Sequence, residues 1–141
     1  MTSPWAAPSV TGVAVRCLLV DDNPGFLQAA RALLEQEGLQ VVGIASTGAE
    51  AIRSAADLRP DVTLVDIDLG GDSGLDLARR LAADPGIDPG RLILISAHAE
   101  EDFVDLIEAS PAIGFLGKPA LSAAAIERLL GAAGERPGPG G

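Results

Sequence analysis

Val62-Thr63-Leu64-Val65-Asp66-Ile67-Asp68-Leu69-Gly70 is the stretch that decides how the chain is read. A short β-branched and aliphatic run, bounded by Pro60 upstream and the Gly70-Gly71 pair downstream, predicts a strand from Val62 to Asp66 buried on both faces, as in a parallel sheet. Asp66 stands where that strand leaves the core. In open α/β sheets the ligand crevice lies outside the carboxyl ends of the strands, so a carboxylate there is well placed for chemistry and poorly placed for packing. Asp66 is therefore the first candidate for a reactive group, and its alternative role is to cap the helix that begins near Ser73.

The same alternation of apolar runs and helical spacing extends both ways. Upstream, Val13 to Val20 reads as a first strand ending in Asp21-Asp22, and Asn23-Pro24 opens a helix carrying Phe26, Leu27, Ala30, Leu33 and Leu34 until Gly38 stops it. Gln40 to Ala45 reads as a second strand. Ser46 or Thr47 then caps a helix with Ala51, Ile52, Ala55 and Leu58 inward, closed by Arg59-Pro60. Downstream, a helix from about Ser73 to Ala83 leads through the double turn signal DPGIDPG (residues 84–90) into a fourth strand, Arg91 to Ser96. A fourth helix is expected from Glu100 to Ala109, a fifth strand from Ala112 to Leu116 and a last helix from Leu121 to Leu130. The acidic run Glu100-Glu101-Asp102 suits a helix N-terminus, whose dipole it complements. Five strands alternating with five helices imply right-handed crossovers and a parallel sheet covered on both faces. Residues 1–12 read as a flexible N-terminal segment that gives Trp5 no periodic context, 13–131 as one domain, and 132–141 as a flexible Gly/Pro tail.

Composition narrows the function. A chain of 141 residues with 48% hydrophobic residues has the length for one domain with a full core. The net charge of -10 argues against direct nucleic-acid binding and against an anionic membrane surface. A single cysteine, Cys17, excludes an internal disulfide and, inside an apolar run, reads as a buried thiol. With neither a membrane-spanning run nor a secretory leader pattern, a cytoplasmic location is expected. Of the ten basic residues only Lys118 is a lysine.

Asp21 and Asp22, Asp66, Ser96 and Lys118 all fall at the carboxyl ends of predicted strands, so the fold would gather them into one crevice. Three carboxylates a few ångströms apart cannot all stay ionised unless a cation joins them, and an all-oxygen cluster with room for waters suits Mg²⁺. A divalent ion, an ammonium and a hydroxyl around one exposed carboxylate make a site for an incoming phosphoryl group. Asp66 would be its nucleophile and Ser96 a hydrogen-bond donor. No G-x-S-x-G elbow occurs to make Ser96 a hydrolase nucleophile, and Gly70, Gly71 and Gly74 do not form a dinucleotide fingerprint.

These residues, with Phe115-Leu116-Gly117-Lys118-Pro119, resemble the receiver domain of bacterial two-component response regulators from about Arg16 to Gly131. The intervals of 30 residues from Asp66 to Ser96 and 52 from Asp66 to Lys118 are typical of that family. The resemblance implies a flavodoxin-like (βα)5 three-layer sandwich with a parallel five-stranded sheet of order 2-1-3-4-5. It also implies that Asp66 accepts phosphate from a histidine kinase or phosphotransfer protein, so that the chain is no enzyme beyond catalysing its own phosphorylation and dephosphorylation. Asp22 and Asp66 would bind Mg²⁺ by side chains, Asp68 by its backbone carbonyl, and Asp21 through a bound water. Lys118 would pair with the phosphoryl group, the Lys118-Pro119 bond would be cis, and Ser96 and Phe115 would form the switch pair. Asp68 and His98 would tune dephosphorylation. The fourth helix, fifth strand and last helix would present a surface to a downstream protein or to a second copy of the chain. Gly70 and Asp72 depart from the proline and methionine common at these positions, which bears on Mg²⁺ affinity and phosphoryl lifetime. Without an output domain, the chain is expected as a stand-alone receiver or a piece of a longer regulator. The competing expectations are a haloacid-dehalogenase-like phosphatase using Asp66 and Asp68, and a receiver-like binding module indifferent to phosphorylation.

Overall fold

The computed structural model describes residues 14–135, so the lead-in expected over residues 1–12, Trp5 with it, and residues 136–141 of the expected tail lie outside what is described. The chain runs β1 (Arg16–Val20), α1 (Pro24–Gln36), β2 (Gln40–Ala45), α2 (Gly48–Leu58), β3 (Val62–Asp66), α3 (Gly74–Ala83), β4 (Arg91–Ser96), α4 (Val104–Glu108), β5 (Gly114–Gly117) and α5 (Ala123–Glu135). The five strands are parallel in the order β2-β1-β3-β4-β5, as expected.

Period-two alternation along the strands builds the two outer layers. Cys17, Leu19, Val62, Leu64, Ile93 and Ile95 face one way, onto Leu27, Ala30 and Leu34 of α1 and Ile126 of α5. Leu18, Val20, Val65, Leu92 and Leu94 face the other, onto Ala51 and Ala55 of α2, Leu77, Ala78 and Leu81 of α3, and Ile107 of α4. Both faces of β3 are buried along its whole length, which is why its sequence shows no polar alternation.

The helix starts are set by side chains. Asn23 Oδ1 accepts the Phe26 amide at 3.1 Å, and Thr47 Oγ1 caps α2 by accepting the Glu50 amide at 3.1 Å, while Glu50 Oε1 accepts the Ser46 amide at 2.8 Å and the Ser46 hydroxyl at 3.1 Å. The same bonds from Ser46 hold the Glu50 carboxyl below the ordinary glutamate range. Ser73 caps α3 with its own hydroxyl, so Asp66 is not needed for that task.

Several boundaries differ from the sequence reading. β1 is described from Arg16, one residue past the Val15 carbonyl that accepts the Gln40 amide at 2.9 Å, and the expected start at Val13 lies outside the described residues. The fourth helix is split: residues 100–102 form a single 3-10 turn, and Phe103 at φ -130° interrupts it before the short α4. Neither start has a side-chain cap, and the three acids sit in that turn and not on the helix itself. β5 lies one to two residues later than expected. α5 begins at Ala123 and runs through Gly131 to Glu135, past its expected end. The Lys118–Pro119 bond is trans, against the expected cis. Residues 118–120 form a 3-10 turn whose first positions tolerate proline, and trans is the preferred isomer by about 0.5–1 kcal/mol. Among the described residues no helix is long and apolar enough to cross a membrane.

Candidate functional site

Register alone predicts where the strand ends meet. Val20 pairs with Val65, Asp66 with Ile95 and Ser96 with Gly117, so Asp21, Asp66, Ser96 and Lys118 stand within one residue of the same sheet edge. Asp66, Ser96 and Lys118 line a crevice of about 200 Å³ with Asp22, Asn23, Asp68, Gly70, Ala97 and His98, and the buried Asp21 reaches it through Lys118. A water needs about 10–15 Å³ of such space, so the crevice has room for several.

Lys118 Nζ lies 2.6 Å from Asp21 Oδ2 and 3.1 Å from Asp66 Oδ2. Asp21 is fully buried and Asp66 nearly so. Asp21 Oδ1 accepts the Asn23 amide at 2.9 Å and Asp66 Oδ1 the Asp68 amide at 3.0 Å, which aims the second oxygen of each inward. Asp21 Oδ2 touches the ammonium without well-directed hydrogen-bond geometry, so it is a buried carboxylate oxygen with acceptor capacity unused. Burial, reinforced by the charge of Asp21, pushes the Asp66 carboxyl above the ordinary aspartate range, against the opposing pull of the Asp68 amide and Lys118. Burial works to lower Lys118, but its pairing with Asp21 and Asp66 outweighs it and holds the ammonium above its usual value.

Asp21, Asp22 and Asp66 each offer a carboxylate oxygen, all within 4.8 Å of one another. Three carboxylates against one ammonium leave two negative charges uncompensated. An oxygen-only donor set with one exposed member and a buried oxygen held only by the Lys118 ammonium fits a hard divalent cation such as Mg²⁺.

Ser96 Oγ accepts the His98 amide at 2.9 Å, so its O–H is the group it can offer the crevice. Leu94 pairs with Phe115, which puts Ser96 and the half-buried Phe115 ring on the same sheet face, two residues apart along it. His98 lines the crevice by one edge, while its ring meets Phe103 edge to face at 6.3 Å. Gly70 takes φ 72°, a backbone closed to proline, and a β-carbon there would stand 2.8 Å from Asp22 Oδ2. Of the residues expected at the site, all line the crevice or border it except Phe115 and Pro119. The sequence reading missed Phe26, whose ring lies under Lys118 Nζ at 4.4 Å, and Gly74, which packs on the Asp66 backbone. Gly74 had a signal in its place just after Ser73. Phe26 had none, since helical spacing only marks it as apolar.

A doubly wound sheet with an acidic pocket and a lone ammonium at its carboxyl edge defines a receiver-type domain. The description of response regulator receiver domains matches residues 17–130, and the chain belongs to that family. A nitrate/nitrite response regulator homolog from Haemophilus influenzae is 37% identical over 105 residues, 74% of this chain and 50% of that protein. The crystal structure of a LuxR-family two-component response regulator from Aurantimonas sp. superposes with a TM-score of 0.74 at 30% identity, covering 84% of this chain and 87% of that one. A response regulator from Burkholderia pseudomallei, solved with a phosphorylated aspartic acid, a calcium ion and citrate, gives 0.72 at 27% identity, covering 86% and 69%. Across four curated relatives this chain spans 30 to 57% of their length. The match is to a receiver domain, which is not itself an enzyme family; some of the relatives carry the name protein-glutamate methylesterase.

Proposed function

We propose that the chain is a phosphoacceptor switch in which Asp66 takes a phosphoryl group from the phosphohistidine of a histidine kinase or phosphotransfer protein. The observation that carries this reading is the lone lysine set between Asp21 and Asp66 at the mouth of an acidic crevice. The phosphorylated aspartate and calcium ion of the Burkholderia pseudomallei regulator support it by likeness. An Asp66 carboxylate oxygen attacks phosphorus in line with the leaving imidazole nitrogen. The O–P bond forms, the N–P bond breaks, and the imidazole leaves with the electron pair and takes up a proton. Lys118 neutralises charge on the phosphoryl oxygens, and Ser96 donates its O–H to one of them.

Asp22 and Asp66 by side chains, Asp68 by its carbonyl and Asp21 through a bound water would hold Mg²⁺. Once bound, the ion supplies positive charge to the transferred oxygens and to the crowded carboxylates. Asp68 and His98 border the path of the hydrolytic water and so bear on the lifetime of the product. Ser96 turning toward the phosphoryl group lets the Phe115 ring move in. With no phenol oxygen on that ring, the switch works by packing, and it shifts the population of the surface made by α4, β5 and α5. That surface, with the exposed Val104 and Leu106, would receive a downstream protein or a second copy. The chain would act in the bacterial cytoplasm and make no nucleic-acid contact of its own.

Incubation with Mg²⁺ and acetyl phosphate, read by intact mass, tests the reading. One phosphoryl adduct that disappears in Asp66→Ala is the expected result. Turnover of the donor at an enzyme's rate with no adduct accumulating would mark a phosphatase, and neither adduct nor turnover a phosphorylation-independent binding module; either outcome overturns the proposal.

A further inference from the structure

Phe26 stands on the first turn of α1 and presents its ring to the Lys118 ammonium, with Nζ 4.4 Å from the ring centroid. Its place is fixed by a short chain of bonds: Asp21 Oδ1 accepts the Asn23 amide at 2.9 Å, and Asn23 Oδ1 accepts the Phe26 amide at 3.1 Å. The ring then packs on the core between the sheet and the α1 and α5 layer. The backbone unit that aims Asp21 therefore also aims the ring.

Lys118 thus meets three partners from three elements: Asp21 at 2.6 Å, Asp66 at 3.1 Å and the ring face. A lysine is a point charge on a flexible stem, so two carboxylates alone leave its position loose, with Asp21 the nearer attractor. The negative face of the ring attracts the ammonium from a third direction, and its bulk closes that side to water. The side chain keeps only 17% of its surface exposed.

We propose that Phe26 is a positioning residue for Lys118: it fixes where the ammonium stands relative to Asp66 and so sets the rate of phosphoryl transfer. The inference rests on the phosphoacceptor reading. Ring electrostatics, not ring volume, carries the effect, and that separates it from plain core packing.

The test places mono-, di- and trifluorinated phenylalanines at position 26 by site-specific incorporation, which weakens the ring face stepwise at nearly constant shape. The rate of Asp66 phosphorylation by acetyl phosphate at saturating Mg²⁺ is expected to fall stepwise, to roughly a tenth at the most fluorinated ring. Phe26→Leu should fall at least as far, Phe26→Trp should hold the wild-type rate, and urea midpoints should stay level across the fluorinated series. Because Lys118 is the sole lysine, ¹⁵N-lysine labelling gives one side-chain ammonium resonance, expected to move stepwise with fluorination in unphosphorylated protein. A flat rate series or an unmoved resonance, in protein that forms the adduct, overturns the role of Phe26 alone. A wild type that forms no adduct removes the phosphoacceptor reading and the proposed effect on rate with it.

Discussion

Gly74→Ala is the substitution that most directly tests how α3 holds the strand end that carries Asp66. A β-carbon on Gly74 would stand 2.7 Å from the Asp66 carbonyl carbon, 2.9 Å from Ile67 Cα and closer still to the Asp66 carbonyl oxygen. Ordinary carbon–carbon contacts are about 3.5–4.0 Å, so helix and strand would have to part by roughly 1 Å, and both sides of the clash are backbone. Overpacking of this kind costs about 1–3 kcal/mol. The Gly74 amide also donates to the Ile67 carbonyl at 2.8 Å, and stretching that bond adds about 1 kcal/mol, offset in part by the better helix propensity of alanine. The net expectation is about 2–3 kcal/mol. In urea unfolding followed by far-UV circular dichroism, that is a midpoint lowered by about 1–1.5 M at a slope near 2 kcal/mol per M. Mg²⁺ affinity should fall with it, because the Asp66 backbone is what moves. Gly71→Ala is the control: its methyl would meet open space, and its midpoint should stay within about 0.5 kcal/mol of wild type. Equal midpoints for the Gly74 variant and wild type, or equal losses in both variants, would refute the argument.

Three further outcomes follow from the site. Because the folded Asp66 carboxyl lies above its unfolded value, the native state binds that proton the more tightly, and the resulting penalty on stability grows as pH rises through both values and is full above the folded one. Asp66→Asn in metal-free buffer should therefore match wild type at low pH and exceed it increasingly toward pH 7, as urea midpoints at each pH will read. Adding Mg²⁺ at a hundred times its Kd should stabilise wild type by about 2.7 kcal/mol, EDTA should reverse the gain, and Asp22→Asn should shrink it; thermal melts give the comparison. Burial raises the Cys17 thiol to about 12, so Ellman's reagent should react with it only as fast as the protein opens, and reaction at a free-thiol rate in the folded state would contradict that burial.

The sheet and the convergence of the acids were legible because they depend on period-two runs and strand ends, which are local patterns. β3 could be read from five residues since both its faces are buried. The ends of α4 and α5 could not. α4 has no capping side chain to mark where it starts, and Gly131, with open space around it, lets α5 continue where a glycine suggested a stop. Asp21, Asp66 and Lys118 could be placed together by counting along strands, whereas the Phe26 ring meets Lys118 across 92 residues of sequence through packing alone. The trans Lys118–Pro119 bond is of the same kind: Lys118 reaches both aspartates from a 3-10 turn, a geometry the proline does not announce.

Reduction of the acetyl-phosphate-treated protein with borohydride, followed by peptide mapping, tests the phosphoacceptor claim most directly, since an acyl phosphate on aspartate is converted to homoserine. Homoserine at position 66 and at no other aspartate, formed only when Mg²⁺ is present, is the predicted result. Homoserine at Asp21, Asp22 or Asp68 in place of Asp66, or none at all, would contradict it.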